Sequence, residues 1–436
     1  MWDQSDEESS DGVPFGRSYD KEEIDNALEL DDPYENVALK DETGHGTYMA
    51  GIACAGPDPS MDYSGMAPFA SIGVVKLKDS KPYLKEYYGV REDVYCYQEN
   101  DIMLGVDYLV KLANRYEMPL VICLGIGTNL GDHNGTGYLG MYLDYLSGTI
   151  GRAVCVPTGN EGNKRHHYRG MMDTEESMQQ VEIRVGGDIR GFTLQLWSQT
   201  PDALAVGFES PTGAKYDKIP ARFGESRRVR FIIEGSTVDV DYWLLQQNVG
   251  DELVEMRFHN PTKGIWKINI YNEGVINGRY DMWLPCTEFV GEETFFLRSD
   301  PDATITEPAN ASMVVSCAGF DHVTDSIYIA SGRGYTRSER IKPDISAPAL
   351  NVMGPSLEER YTIGSGTCIA AAFCAGAAAL IFEWALVRNN DVRLTGNLLR
   401  KYMIRGARRN INRTYPDNEW GYGALDVYGI FEAIFR

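Results

Sequence analysis

Positive charge is what this chain has least of. Its 436 residues carry 41 Lys and Arg against 63 Asp and Glu, a formal net charge of −22 at pH 7. So acidic a surface repels phosphate backbones and anionic lipid, and no local basic stripe interrupts it. Nucleic-acid and membrane-surface partners are therefore not expected. Closely spaced cysteine pairs are also missing. The eight cysteines, at 54, 96, 123, 155, 286, 317, 368 and 374, stand mostly inside apolar runs, at none of the spacings of zinc sites or small disulfide scaffolds. They read as buried free thiols of a reducing setting. With only 19 Pro, no internal repeat and no low-complexity tract, disordered and collagen-like classes drop out. The opening MWDQSDEESSDG has neither the basic nor the apolar region of a signal peptide. One apolar run, residues 369–387, approaches the length of a membrane span, but it contains Glu383 and many small residues, so a helix buried inside a large protein is expected.

What remains is an ordinary globular composition, 43% hydrophobic and 24% charged, in a chain long enough for two or three units or one large domain with an insertion. Asp20 followed by Glu23 has capping-box spacing and predicts a short helix with Ile24, Ala27 and Leu28 on one face. Short apolar runs, ASIGVVKL, PLVICLGIG, RAVCVPTGN and ASMVVSCAGF, alternate with helical text such as DIMLGVDYLVKLANRYE. That alternation predicts a parallel sheet covered on both faces, an α/β doubly wound domain. Residues 171–300 differ. VEIRVGG, GFTLQLWS, LAVGFES, RRVRFIIEG, DVDYWLLQQ, KGIWKINIYNEG and GRYDMWLP alternate polar with apolar residues between turn clusters. The expected organisation is an α/β part over 1–170, an inserted all-β sandwich or jelly roll over 171–300, and a second α/β part over 301–436.

Four stretches carry chemistry. In DETGHGTYMAGIACAG, glycines flank His45 and leave its imidazole reachable from a cleft, which suits a general base; a histidine satisfied at a helix start has the same local text. In GSGTCIAAAFCAGAAAL, a glycine-rich turn delivers Cys368 to the first turn of an apolar helix, where free N–H groups favour an anion and lower a thiol's pKa; a small packed cysteine is the bland alternative. In VCVPTGNEGN, Asn160 sits on a turn from which its amide can donate to an oxyanion. Asp3, in WDQS, is a carboxylate able to orient an imidazole. His166 and His167, just past the Asn160 turn, read as packing residues more readily than as ligands.

In the order Asp, His, amide, nucleophile, these stretches resemble the subtilisin-like serine proteases, the subtilases. The resemblance rests on GHGTYMAGIACA, YSGMAPFASIGVVKL, PTGNEGN, SGRGYTRSERIKPDISAPALNV and GSGTCIAAAFCAGAAAL. WDQS, FGRSYDKEEIDNAL, GNEGNKRHHY and the β insertion look like the clostridial subgroup that includes spore-germination proteases. The resemblance implies a subtilisin-like fold. It gives Asp3 the orienting role, His45 that of base, Asn160 that of oxyanion donor, and puts Cys368 where the family has Ser. It implies that Gly125, Ile126 and Gly127 pair with substrate backbone and border the pocket for the residue before the scissile bond. No organic cofactor is implied; the family allows structural calcium, for which no ligands are assigned. A spore-associated or exported location is what the subgroup suggests.

Two functions follow. One is an endopeptidase that forms an acyl-enzyme on Cys368 and acts on a polypeptide substrate. The other is a pseudoprotease that binds or regulates a protein partner. Sulfur's longer bonds displace an acyl carbonyl from donors arranged for oxygen, which favours the second, and thiolate nucleophilicity favours the first.

Overall fold

The structure is a computed structural model that describes every residue except 7–9, 11, 188, 247–248, 358–359 and 436. Strands Leu120–Cys123, Arg152–Pro157, Val315–Asp321 and Ile345–Pro348 lie side by side in that order, all parallel. Successive residues of a strand face opposite ways, and both faces here are apolar. Val154 and Val156 meet Ile102, Val106 and Leu143 of helices Glu99–Arg115 and Tyr138–Ser147. Ala153 and Cys155 point the other way and meet Ala377, Ile381 and Leu399 of helices Thr367–Phe382 and Gly396–Gly406. This is the doubly wound α/β arrangement, and it explains why these strands read as unbroken apolar runs. Helix Lys21–Leu28 begins with the full capping box between Asp20 and Glu23.

The apolar stretch Thr367–Val387 is long and apolar enough to cross a membrane, and most of it is buried inside the protein. Ala370, Ala371, Ala372, Ala377 and Ala378 are fully covered. Small side chains let it lie close to both the sheet and helix His45–Cys54, so the nucleophile position and the histidine start neighbouring helices.

Residues His167–Phe296 form two antiparallel sheets. One has six strands, in the order Ser226–Phe231, Ser236–Trp243, Glu252–His259, Gly191–Ser198, Arg279–Trp283 and His167–Met171. The other has five, in the order Lys215–Ile219, Leu204–Glu209, Gly264–Asn272, Met178–Val185 and Phe295–Phe296. Between them lies a core that includes Phe192, Phe208, Phe258, Trp266 and Tyr280. Burying each such side chain contributes about 1.5–3 kcal/mol.

The outer face of the six-stranded sheet is not solvated. It packs on the α/β part through Thr193, whose hydroxyl donates to Tyr88 O at 3.2 Å, and Arg257, 4.4 Å above the Tyr87 ring. Trp283 is stacked between His133 and His167 at centroid distances of 3.9 and 4.7 Å. That packing explains Glu252–His259, a strand the alternation rule does not flag. Its seven residues from Glu252 to Phe258 are all buried, with Arg257 neutralised by Glu255 and Asp241. Lys215–Ile219 and His167–Met171 are further strands beyond those the sequence pattern picks out, and of ASIGVVKL only Val75–Lys76 is strand.

Candidate active site

The glycine turn before residue 367 places Cys368 in the first turn of its helix, half-buried. Its Sγ lies 3.4 Å from Gly125 O, the carbonyl at the end of strand Leu120–Cys123. The expectation that a helix start would lower the thiol's pKa is not met. Burial pushes it up to about 12, the Glu288 carboxylate adds to the rise, and the backbone N–H opposes both without reversing them. Desolvation thus wins over the helix end, because the dipole acts within one turn and is worth about 1 kcal/mol. Cys368 rests as a neutral thiol, hydrogen-bonded to a carbonyl.

Asn160 stands on the other side. Gly159 before it has φ +84°, a left-handed turn that turns Asn160 out of strand Arg152–Pro157. The amide oxygen Oδ1 accepts from Thr367 N at 3.0 Å and from Thr367 Oγ1 at 3.2 Å. With the oxygen held by the residue before Cys368, Nδ2 makes no hydrogen bond among the described residues and lies 3.7 Å from where a Cβ on Gly366 would stand.

His45 begins helix His45–Cys54 with Gly44 as its cap. Asp41 supplies the capping oxygens that Gly44 lacks. Its carboxylate accepts from Thr43 N, Gly44 N and Thr47 N at 3.0, 2.9 and 2.8 Å, and from Thr47 Oγ1 at 2.8 Å. Burial would raise the Asp41 pKa, but hydrogen bonds from Thr47, Gly44 and Thr43 outweigh it and hold the group below its ordinary value. The imidazole keeps an exposed edge while its packed side is desolvated, which lowers its pKa against the opposing charges of Asp41 and Glu288. Its Cε1 lies 3.2 Å from where a Cβ on Gly125 would stand, so His45 and Cys368 flank the same residue.

Asp3 is buried in strand Trp2–Asp3, paired with Val75–Lys76 and Arg17–Ser18. Its Oδ1 accepts from Ser5 N at 2.8 Å and Ser5 Oγ at 2.5 Å, and Lys76 Nζ lies 3.8 Å from Oδ2. Among the described residues no hydrogen bond joins Asp3 to His45, or His45 to Cys368. Gly125, Ile126 and Gly127 follow strand Leu120–Cys123, and the Cys368 thiol and the His45 ring both approach the first of them. Thr128 beyond them exchanges backbone bonds with Glu307, 2.9 and 2.8 Å. His166 and His167 are buried: His166 Nε2 hydrogen-bonds with Thr294 O at 2.9 Å, its Nδ1 lies 2.9 Å from Glu161 Oε2, and His167 Nε2 hydrogen-bonds with Asp281 Oδ1 at 3.0 Å. Among the described residues no cluster of His, Cys, Asp and Glu is arranged to hold a metal. Open hollows of about 430 and 400 Å³, the first lined by residues that include Asp20, Asp25, Asn26 and Tyr116 and the second by Tyr428, Phe431, Glu432 and Phe435, lie elsewhere on the surface.

Sequence reading missed Glu288. It leaves the β sandwich on the short helix Thr287–Val290, whose first residue is clamped by Glu161: Thr287 N at 3.2 Å and Thr287 Oγ1 at 3.1 Å. Its carboxylate raises the pKa of both His45 and Cys368. Nothing in TEFV marks it, because its relevance comes from the proximity of its charge to His45 and Cys368, both distant in sequence.

The model of the subtilase family matches residues 14–103 and 291–423, just over half of the chain. The chain belongs to the subtilase family. The unmatched stretch between them holds every strand of the β sandwich except Phe295–Phe296, which falls within the matched residues. Among solved structures this subtilase is similar to the CspB protease of Clostridium perfringens, with 29% identity over 97% of this chain and 86% of that one and a TM-score of 0.87. It thus has the architecture of a clostridial subtilase. The epidermin leader peptide processing serine protease EpiP of Staphylococcus aureus matches at 14% identity over 100% of this chain and 70% of that one, with a TM-score of 0.45. A search of curated proteins gives no match.

Proposed function

We propose that this subtilase is an endopeptidase that holds an extended polypeptide along Gly125–Gly127 and transfers its acyl group to Cys368. The observation that carries the reading is the convergence on Gly125 of the Cys368 thiol and the His45 ring, with Asn160 fixed by Thr367 so that its Nδ2 is free. With burial pushing its pKa up to about 12, the thiol is almost wholly protonated at neutral pH. The proton must therefore leave as the bond forms. His45 takes it while Sγ attacks the scissile carbonyl; Asn160 Nδ2 donates to the oxyanion; collapse breaks the C–N bond and the amine leaves with the proton from His45. Water, deprotonated by His45, then attacks the thioester, releases the acid and returns the proton to sulfur. Asp41 is a positioning residue, holding the turn that carries His45.

The second reading, a peptide-binding pseudoprotease, is favoured by one specific observation: Asp3 spends its carboxylate on Ser5 and Lys76. On that reading the β sandwich adds a surface for a protein partner. Incubation of the 436-residue chain with a peptide library separates the two. Cleavage by the natural chain, lost in Cys368→Ala, supports the peptidase; peptide binding without cleavage in the natural chain and in Cys368→Ser leaves only the binding reading.

A further inference from the structure

Two glycine-bearing segments, Gly125–Gly127 and Thr158–Asn160, run on either side of the slot into which the side chain of the acylated residue must project once its carbonyl sits between Cys368 and Asn160. A third segment crosses beneath them. Thr306 N donates to Thr158 O at 3.0 Å, and Glu307 pairs with Thr128 in both directions, so residues 306–307 tie the two walls together at the base. The Thr306 side chain rises between the glycines. Its Oγ1 lies 2.3 Å from where a Cβ on Gly127 would stand and 2.6 Å from the same point on Gly159. Any other residue at either position would collide with it, since real Cβ atoms do not approach that closely. Thr306 is only 2% exposed, and its hydroxyl has no hydrogen-bond partner among the described residues. An unpaired buried hydroxyl is destabilising, and a ligand able to bond it would recover that cost.

We infer that Thr306 is the floor of the specificity slot and restricts the residue before the scissile bond to small side chains, with a hydroxyl-bearing one, serine, preferred over alanine. The inference rests on the cleft's being a peptide site, as proposed above, but not on catalysis. The slot between two backbone walls is filled from below by a branched side chain, so an aromatic or long aliphatic residue has no room. The unpartnered Oγ1 is both donor and acceptor, and a serine hydroxyl entering the slot supplies the partner it lacks.

The test uses the full chain and fluorescent product-like peptides that differ only in a C-terminal Ser, Ala or Phe, with affinity read by anisotropy. For the natural chain the expected order is Ser above Ala by about fivefold and Phe weaker than Ala by more than tenfold. Thr306→Val keeps the volume and removes the hydroxyl, so Ser and Ala should bind alike with Phe still excluded. Thr306→Gly should bring Phe to within a few-fold of Ala. Phe binding the natural chain as well as Ala, or an unchanged Ser preference in Thr306→Val, overturns the assignment while leaving the cleft a peptide site. Failure of every peptide to bind every form overturns the cleft reading and this inference with it.

Discussion

The two sides of the cleft are built to different degrees of readiness. On one, Cys368, Asn160 and Gly125 lie on three elements yet are locked together by hydrogen bonds from Thr367 and to Gly125 O. On the other, Asp3 is committed to Ser5 and Lys76, and His45 is held through its backbone by Asp41 rather than through its ring. On the proposed mechanism the bond-forming side is assembled in the resting protein and the proton-relay side is not. A serine nucleophile would need that relay at every turnover. A thiol needs it less, because sulfur gives up its proton more readily, although burial removes much of that advantage here.

This asymmetry can be broken most strongly at Asn160. Asn160→Ala should slow acyl transfer from a peptide nitrophenyl ester by about 10²–10³-fold in single-turnover assays, the usual effect of losing an oxyanion donor. Asp3→Asn should cost about tenfold or less in the same assay, against roughly 10⁴-fold for a carboxylate engaged with its histidine. A loss as large as that would place Asp3 in the relay. A smaller effect is expected at Glu288. Its charge raises the pKa of the thiol and of the imidazole, so Glu288→Gln lowers both. Iodoacetamide labelling of Cys368 should then shift to lower pH, with several-fold faster labelling at pH 8; an unchanged profile would remove Glu288 from the site.

A last effect, on stability rather than on rate, concerns residue 307. Burial first, and Asp132 next, push the Glu307 carboxyl up to about 8, while Gly135 N donates to its Oε1 at 2.9 Å. A folded pKa above the unfolded value means that this group's contribution is complete below the unfolded pKa and is lost as pH rises through about 8. Glu307→Gln should remove that slope, so denaturation midpoints of variant and natural chain should diverge in the variant's favour from pH 5 to pH 8. Parallel midpoints would contradict the shift.

Legibility in the sequence followed the same division. The turns that deliver His45, Asn160 and Cys368 are local, written in glycines within a few residues of each, and so could be read directly. The sheet's doubly covered strands were equally plain, because burial on both faces leaves continuous apolar text such as RAVCVP. Glu252–His259 was opaque for the opposite reason: its charged residues are buried against the second domain face rather than solvated. Asp41, Glu288 and Thr306 act through contacts that only the folded chain makes. The expected acidic thiol failed because a helix start can be recognised in a sequence and the desolvation that overrides it cannot.

The central claim is that the acyl group lands on Cys368, and the most direct measurement locates it. The protein is mixed with an activated peptide ester, quenched within one turnover, and mapped by mass spectrometry. The account predicts a single acyl adduct, on Cys368, formed far more slowly in Asn160→Ala and absent in Cys368→Ala. Adducts spread over Cys54, Cys96 and Cys286, or an adduct on Cys368 whose rate ignores Asn160, would contradict it.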